Sequence, residues 1–254
     1  MAHPAWPAVY RPGGPLRYNG AIPRPRQPLV ITFDVGQTLV ELDLDFLRRR
    51  LGERGVAVTT AALTVAAPAA WQLYDTLVDA GHGHPWQAFM SALLEGAGVR
   101  DREPLVDWLW SEQPRHNLWR RPIAAMVALA RELAATDVRV GIISNSEGRL
   151  AELLVEIGIA DAFAVIVDSG RFGIDKPDRR IFDHALVALD AVGARALHIG
   201  DSWAADVVGA RGAGWDAIWY GPKVTAVADE RVTIARDPEA ARAAIERWLA
   251  TARA

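Results

Sequence analysis

The run Leu29-Val30-Ile31-Thr32-Phe33 ends abruptly in Asp34 and is followed by Val35-Gly36-Gln37-Thr38-Leu39. A short, nearly continuous apolar run reads as a strand buried on both faces, the kind found inside a parallel sheet. In open α/β sheets, ligands bind just beyond the carboxyl ends of the strands. Asp34 therefore stands where a nucleophile or a metal ligand would sit. Taken alone, the segment is equally an ordinary turn after a strand.

The rest of the chain decides between these readings. From 118 onward, helical and strand patterns alternate. Helix 123–135 has Pro122 at its start, strand 138–143 ends at Ser144-Asn145-Ser146, and helix 147–157 leads to strand 164–167. Helix 178–191, strand 196–200 ending at Gly200-Asp201, helix 203–212 and strand 216–220 follow, with a last helix near 237–251. Such alternation implies right-handed βαβ units and a parallel sheet.

Between these parts, the stretches 44–54, 60–79, 86–96 and 103–111 have helical spacing with no competing strand pattern. Residues 1–28 carry Pro4, Pro7, Pro12, Pro15, Pro23, Pro25 and Pro28 and read as an extended arm. The expected organisation is thus a Pro-rich arm over 1–28, an α/β core over 29–42 and 118–254, and an all-helical insertion over 43–117.

Composition removes several classes of function. With 51% hydrophobic residues in 254, the chain has enough apolar material for a core. A formal net charge of -3 and no basic stripe argue against a nucleic-acid partner. The absence of cysteine excludes disulfides and thiolate sites. No secretory signal and no run of membrane-spanning length are visible. We expect a soluble, cytoplasmic monomer or homodimer that contacts neither nucleic acid nor membrane. Lys176 and Lys223 are the only lysines among 28 basic residues. Where arginine is the habitual cation, a retained lysine invites a chemical explanation.

Three strands end in polar residues: Asp34, Ser144 with Asn145, and Asp201. A fourth cluster, Asp175-Lys176-Pro177-Asp178, opens helix 178–191. In a parallel sheet these ends share one edge. Carboxylates, a hydroxyl and an ammonium together suit a hard cation such as Mg²⁺ and a phosphate. Ser144 and Ser146 are also plausible helix N-caps.

Four segments resemble the motifs of the haloacid dehalogenase (HAD) superfamily, in that family's order and spacing. They are Phe33–Leu39, Ile142–Ser146, Phe172–Phe182 and His198–Ala210. The resemblance covers about 29–221 and points to the subgroup with a helical cap inserted after the first motif. It implies a Rossmann-like parallel sheet core and a small phosphorylated substrate. Asp34 would be the nucleophile that forms an aspartyl-phosphate. Lys176 would be catalytic and, with Ser144 and Asn145, would hold the phosphate. Mg²⁺ would be held by Asp34, the backbone carbonyl of Gly36 and Asp201, with Asp206 supporting the site from behind.

One position departs from the pattern. The usual first motif is Asp-x-Asp-Gly-Thr, and its second Asp serves family phosphatases as proton donor and then as base. Gly36 stands there and has no side chain. Glu41, His82 and His84 are conceivable substitutes. The same gap admits two rivals. One is a non-catalytic protein that retains the fold to bind a phosphometabolite or a partner. The other is a 2-haloacid dehalogenase-like hydrolase, which the Gly200-Asp201 pair disfavours. A phosphonatase, which uses a cap lysine, is excluded because 43–117 contains none.

Overall fold

The computed structural model describes residues 9–10, 27–82, 84–224 and 228–253. Of the Pro-rich arm, residues 1–8 and 11–26 lie outside the described residues. The chain divides into two compact units, Leu42–Leu118 and the remainder.

In the larger unit, seven strands form one sheet: β1 (Val9–Tyr10), β2 (Leu29–Phe33), β5 (Arg139–Ser144), β6 (Val165–Asp168), β7 (Arg195–Gly200), β8 (Asp216–Tyr220) and β9 (Val232–Ala235). Their order is β1-β6-β5-β2-β7-β8-β9. Every pairing is parallel except β1 with β6. The short strands β3 (Val40–Leu42) and β4 (Trp119–Pro122) pair as a separate ribbon. The connecting helices are α5 (Ala124–Ala134), α6 (Leu150–Glu156), α7 (Ser169–Phe172), α8 (Arg179–Ala188), α9 (Val208–Gly212) and α10 (Pro238–Arg253).

β2 lies at the centre and all five of its residues are buried. Period-2 alternation sends Leu29, Ile31 and Phe33 into an apolar layer with Met126 of α5, Leu154 of α6 and Ile245 of α10. Val30 enters the opposite layer with Ile181, Phe182 and Ala185 of α8 and Ala210 of α9. A strand covered on both faces has no polar side to show, which is why this stretch of sequence is apolar apart from Thr32.

The smaller unit contains α1 (Leu44–Glu53), α2 (Thr60–Asp79), α3 (Trp86–Gly96) and α4 (Glu103–Glu112). The Asp43 carboxylate accepts from Phe46 N at 2.8 Å, and Thr59 Oγ1 from Ala62 N at 3.1 Å, so α1 and α2 start on side-chain caps. Leu63, Phe89, Met90, Leu93 and Leu94 are fully buried. Trp71 packs on Phe89 at 4.3 Å between ring centroids. Of the cap-region aromatics, Trp86 is buried whereas Trp110 is 43% exposed. Among the described residues, no helix is long and apolar enough to cross a membrane.

The strands absent from the sequence reading are β1, β3, β4 and β9. β1 and β3 span two and three residues, too few for a period to register, and β4 (WRRP) and β9 (VTIA) lack the continuous apolar run that marks β6. Helix α6 begins at Leu150 rather than 147. The Asp168 carboxylate takes Ser146 Oγ at 2.7 Å, Gly148 N at 3.1 Å and Leu150 N at 2.9 Å, which holds 146–149 as a loop. Ser146 is thus not a helix cap.

Candidate active site

The sheet order reverses at β2, with β5 and β6 on one side and β7 and β8 on the other. A doubly wound sheet opens its crevice at such a switch. Register then assembles the site. Phe33 is level with Ile142 of β5 and with Ile199 of β7. Ser144 and Asp201 therefore each lie one residue beyond the level of Asp34, on either flank. The Asp34 amide continues the ladder, donating to Ile199 O at 2.8 Å.

Lys176 reaches this edge from the loop before α8 and is almost wholly buried. Its Nζ donates to Asp34 Oδ1 at 2.7 Å, Asp206 Oδ1 at 2.5 Å and Ile143 O at 2.8 Å. These three bonds use all the donors of an ammonium. Ser144 Oγ donates to the same Asp34 Oδ1 at 2.9 Å. One oxygen of Asp34 is thereby pinned twice, and among the described residues no donor meets Oδ2. Ser144 is committed to this carboxylate rather than to a helix end.

Asn145, expected to help hold the phosphate, turns its side-chain amide to the lysine loop. Its Oδ1 accepts from Lys176 N at 2.8 Å, and its Nδ2 donates to Lys176 O at 3.1 Å. Both ends of the amide hold the lysine loop. In the fourth polar cluster, Asp178 caps α8 by accepting from Arg180 N at 2.9 Å, so Lys176 alone enters the site.

Asp206 lies in a π-helical turn, Trp203–Val207, that precedes α9. Its Oδ2 accepts from Ser202 N at 2.9 Å. Its Oδ1 takes Lys176 Nζ and faces His198 Nε2 at 3.1 Å. The carboxylate occupies the space beside Gly200, where an added Cβ would lie 2.1 Å from Asp206 Oδ2. Only glycine fits. Asp201, partly exposed, has its carbonyl held by Trp219 Nε1 at 3.0 Å.

Carboxylate oxygens of Asp34, Asp201 and Asp206 lie within 4.8 Å of one another. Burial raises Asp201 well above the ordinary carboxylate range, and the charges of Asp34 and Asp206 add to the rise. Burial also raises Asp34, against the pull of Lys176. For Asp206 burial is outweighed by the Lys176 charge and by His198, which hold it well below the usual range. Lys176 itself is raised, because the two carboxylates outweigh its burial. With a cation bound, three ionised carboxylates against one ammonium would leave two surplus negative charges for it to meet. A hard, oxygen-seeking divalent cation matches both the donor type and that charge.

At Gly36 the backbone is not left-handed. A Cβ there would meet Asp34 Oδ2 at 3.9 Å and Trp119 Cδ1 at 4.0 Å, ordinary contacts. The left-handed residue is instead Gln37, at φ 54°.

Of the substitutes for a side chain at 36, Glu41 is ion-paired with Arg121 at 2.9 Å on the β3–β4 ribbon. His82 and His84 belong to the helical unit and line a depression with Trp86 and Trp110. His84 Nδ1 is 2.7 Å from Tyr74 Oη, and burial lowers its pKa.

Sequence reasoning missed Thr32 and His198, both fully buried at 0% exposure. Their signal was present. Each is a polar residue on the same strand face as, and two positions before, a site residue (Asp34 and Gly200 respectively).

Residues 30–214 match the family model described as haloacid dehalogenase-like hydrolase. The bovine (Bos taurus) haloacid dehalogenase-like hydrolase domain-containing protein 3 is 29% identical over 203 residues, 73% of this chain and 78% of that protein. A phosphoserine phosphatase of Thermus thermophilus is 33% identical over 135 residues, 52% of this chain and 53% of that protein. Among solved structures, the putative HAD-hydrolase YfnB of Bacillus subtilis superposes with a TM-score of 0.62 at 20% identity, covering 87% of this chain and 99% of that one. Fold, polar sheet edge and a family match across most of the core agree, and the chain belongs to the haloacid dehalogenase-like hydrolases.

Proposed function

We propose that this chain is a Mg²⁺-dependent phosphoric monoester hydrolase acting on a small phosphorylated metabolite through an aspartyl-phosphate on Asp34. The carrying observation is the asymmetry of the Asp34 carboxylate. Oδ1 is fixed by Lys176 and Ser144, while Oδ2 is uncommitted. The likeness to a phosphoserine phosphatase supports the substrate class.

In the first step Oδ2 attacks phosphorus, and the bond to the leaving oxygen breaks as the Asp34 O–P bond forms. Water then attacks the same phosphorus, releasing orthophosphate and restoring the carboxylate. Lys176 and the Ser144 hydroxyl neutralise and hold the nucleophile at Oδ1, and as Oδ2 bonds to phosphorus they would turn from Oδ1 toward the phosphoryl oxygens. Asn145 and Asp206 keep Lys176 in place. Asp34, Asp201 and the Gly36 carbonyl would hold Mg²⁺. When bound, the cation supplies the positive charge that lets a phosphate dianion sit among three carboxylates.

No side chain at 36 protonates the leaving oxygen, so good leaving groups are favoured. We read the helical unit as the cap that selects substrate.

The bare position 36 also favours a competing reading, a phosphometabolite-binding protein without turnover. Phosphate release from acetyl phosphate and p-nitrophenyl phosphate, measured with Mg²⁺ and with EDTA, separates the two. The parent should release phosphate only with Mg²⁺, and Asp34→Asn should fall to background with an unchanged circular dichroism spectrum. Equal activity in Asp34→Asn would remove the nucleophile, and metal-dependent phosphate binding without turnover would select the competitor.

A further inference from the structure

We propose that His198 is a positioning residue for this chemistry. Held as the Nε2–H tautomer by the Asp206 carboxylate and fixed at its other nitrogen by the Thr32 hydroxyl, it orients Asp206 and, through it, the Lys176 ammonium against Asp34. The inference rests on the phosphatase reading for its kinetic consequence, but not for the tautomer itself.

The geometry starts in the sheet. Thr32 and His198 are register partners on the parallel strands β2 and β7, so their side chains project from the same face. Thr32 Oγ1 is 2.8 Å from His198 Nδ1, and His198 Nε2 is 3.1 Å from Asp206 Oδ1. The Phe182 ring stands perpendicular to the imidazole at 5.4 Å and closes the open side of the pocket.

The proton positions follow from the partners. An ionised carboxylate only accepts, so Nε2 carries the hydrogen. Burial and the neighbouring Lys176 charge keep the ring neutral, against the opposing pull of Asp206. A neutral ring with Nε2–H has its lone pair on Nδ1, and the hydroxyl of Thr32 donates to it.

Asp206 then has a donor in each direction: Lys176 and His198 on Oδ1, and Ser202 N–H on Oδ2. Two further bonds fix Lys176 Nζ, to Asp34 and to Ile143 O. The chain Thr32–His198–Asp206–Lys176–Asp34 is therefore continuous and buried. Without the Thr32 hydroxyl the ring keeps its Nε2–H toward Asp206 but loses the bond that fixes Nδ1, so it is free to swing, and Asp206 and the ammonium it anchors lose a fixed support.

Three variants of the full chain test this: Thr32→Val, which removes the hydroxyl at constant shape; Thr32→Ser, which keeps it; and His198→Gln, whose amide preserves a donor toward Asp206. Two readouts are needed. Two-dimensional ¹H–¹⁵N spectra of the imidazoles identify the tautomer without any turnover. Steady-state kinetics with p-nitrophenyl phosphate and Mg²⁺ separate kcat from KM.

The expected parent signal is Nε2–H. Thr32→Val should leave it Nε2–H but lower kcat by roughly 10-fold with KM within about twofold, the scale typical of residues supporting a metal or catalytic group from behind. Thr32→Ser should recover the parent values, and His198→Gln should retain more kcat than His198→Leu. An Nδ1–H or imidazolium signal in the parent overturns the proposal. Parental kcat in a folded Thr32→Val protein does so as well. A parent that releases no phosphate refutes the phosphatase reading instead, and the tautomer measurement still decides this one.

Discussion

The residue missing from the site offers the sharpest test of the chemistry. Gly36→Asp would place a carboxyl group where family phosphatases carry their proton donor, and the structure has room for its Cβ. The backbone there is not left-handed, and the new Cβ would meet Asp34 Oδ2 at 3.9 Å and Trp119 Cδ1 at 4.0 Å, within ordinary contact. Replacing glycine at a compatible position restricts the unfolded chain and is worth about 0.4–1 kcal/mol in stability.

Against this stands repulsion from the existing carboxylates. Two charges 4 Å apart at an effective dielectric constant near 20 interact by about 4 kcal/mol. Lys176 and a bound cation offset much of that. If a third remains, the new carboxyl group titrates roughly one unit above its usual pKa, which favours the protonated, donating form.

Positioned acid catalysis is worth about 10²–10⁴ in rate when geometry is ideal. A first-generation variant should therefore gain ~10-fold or more on an alkyl phosphate such as glycerol phosphate. It should gain little on acetyl phosphate, whose leaving group needs no proton. The assay is orthophosphate release from both substrates at fixed Mg²⁺, with thermal unfolding and Mg²⁺ titration run alongside. A variant that folds, binds Mg²⁺ and shows no selective alkyl gain would refute the reasoning, as would a parent whose rate ignores the leaving group.

Lys176→Arg should lose at least ~10² in kcat despite keeping its charge, because a planar guanidinium cannot reproduce three bonds from one nitrogen; parental phosphate release would return Lys176 to an electrostatic role. Gly200→Ala drives a Cβ to 2.1 Å from Asp206 Oδ2 and 2.7 Å from its Cβ, so the pinned carboxylate must move; we expect a loss of roughly 1–3 kcal/mol in urea unfolding together with turnover, and an unchanged midpoint would contradict the packing. Asp216 is held below its ordinary pKa because Arg231, Trp248 and Arg195 outweigh its burial. Its stabilisation is then complete above about pH 4 and is lost as pH falls through the lower folded-state value. Asp216→Asn should accordingly cost roughly 1.5–3 kcal/mol near neutrality, and its Tm deficit should shrink below about pH 4; a deficit independent of pH would exclude the charge as its cause.

Much of this protein was legible in one dimension. The apolar run of β2 predicts a doubly covered strand because burial on both faces leaves no position for alternation. The strand–helix rhythm after 118 predicts the parallel sheet for the same reason, and strand ends identify Asp34, Ser144 and Asp201 because a parallel sheet brings all its carboxyl ends to one edge. Bare Gly36 was also visible as a missing acid.

What the sequence left open depends on distances between residues far apart in the chain. Asn145 is separated from Lys176 by 31 positions, yet both ends of its amide bind that residue's main chain. The hydroxyl of Ser144 serves Asp34 rather than a helix, a choice made by the register of β5 against β2. Thr32 and His198 lie 166 positions apart and become partners only because β2 and β7 pair in one register. A polar residue inside an apolar strand is ambiguous until its neighbour is known, since burial penalises it unless a partner arrives. Tertiary structure decided which partners arrived, and so turned two unremarkable strand residues into the back wall of the site.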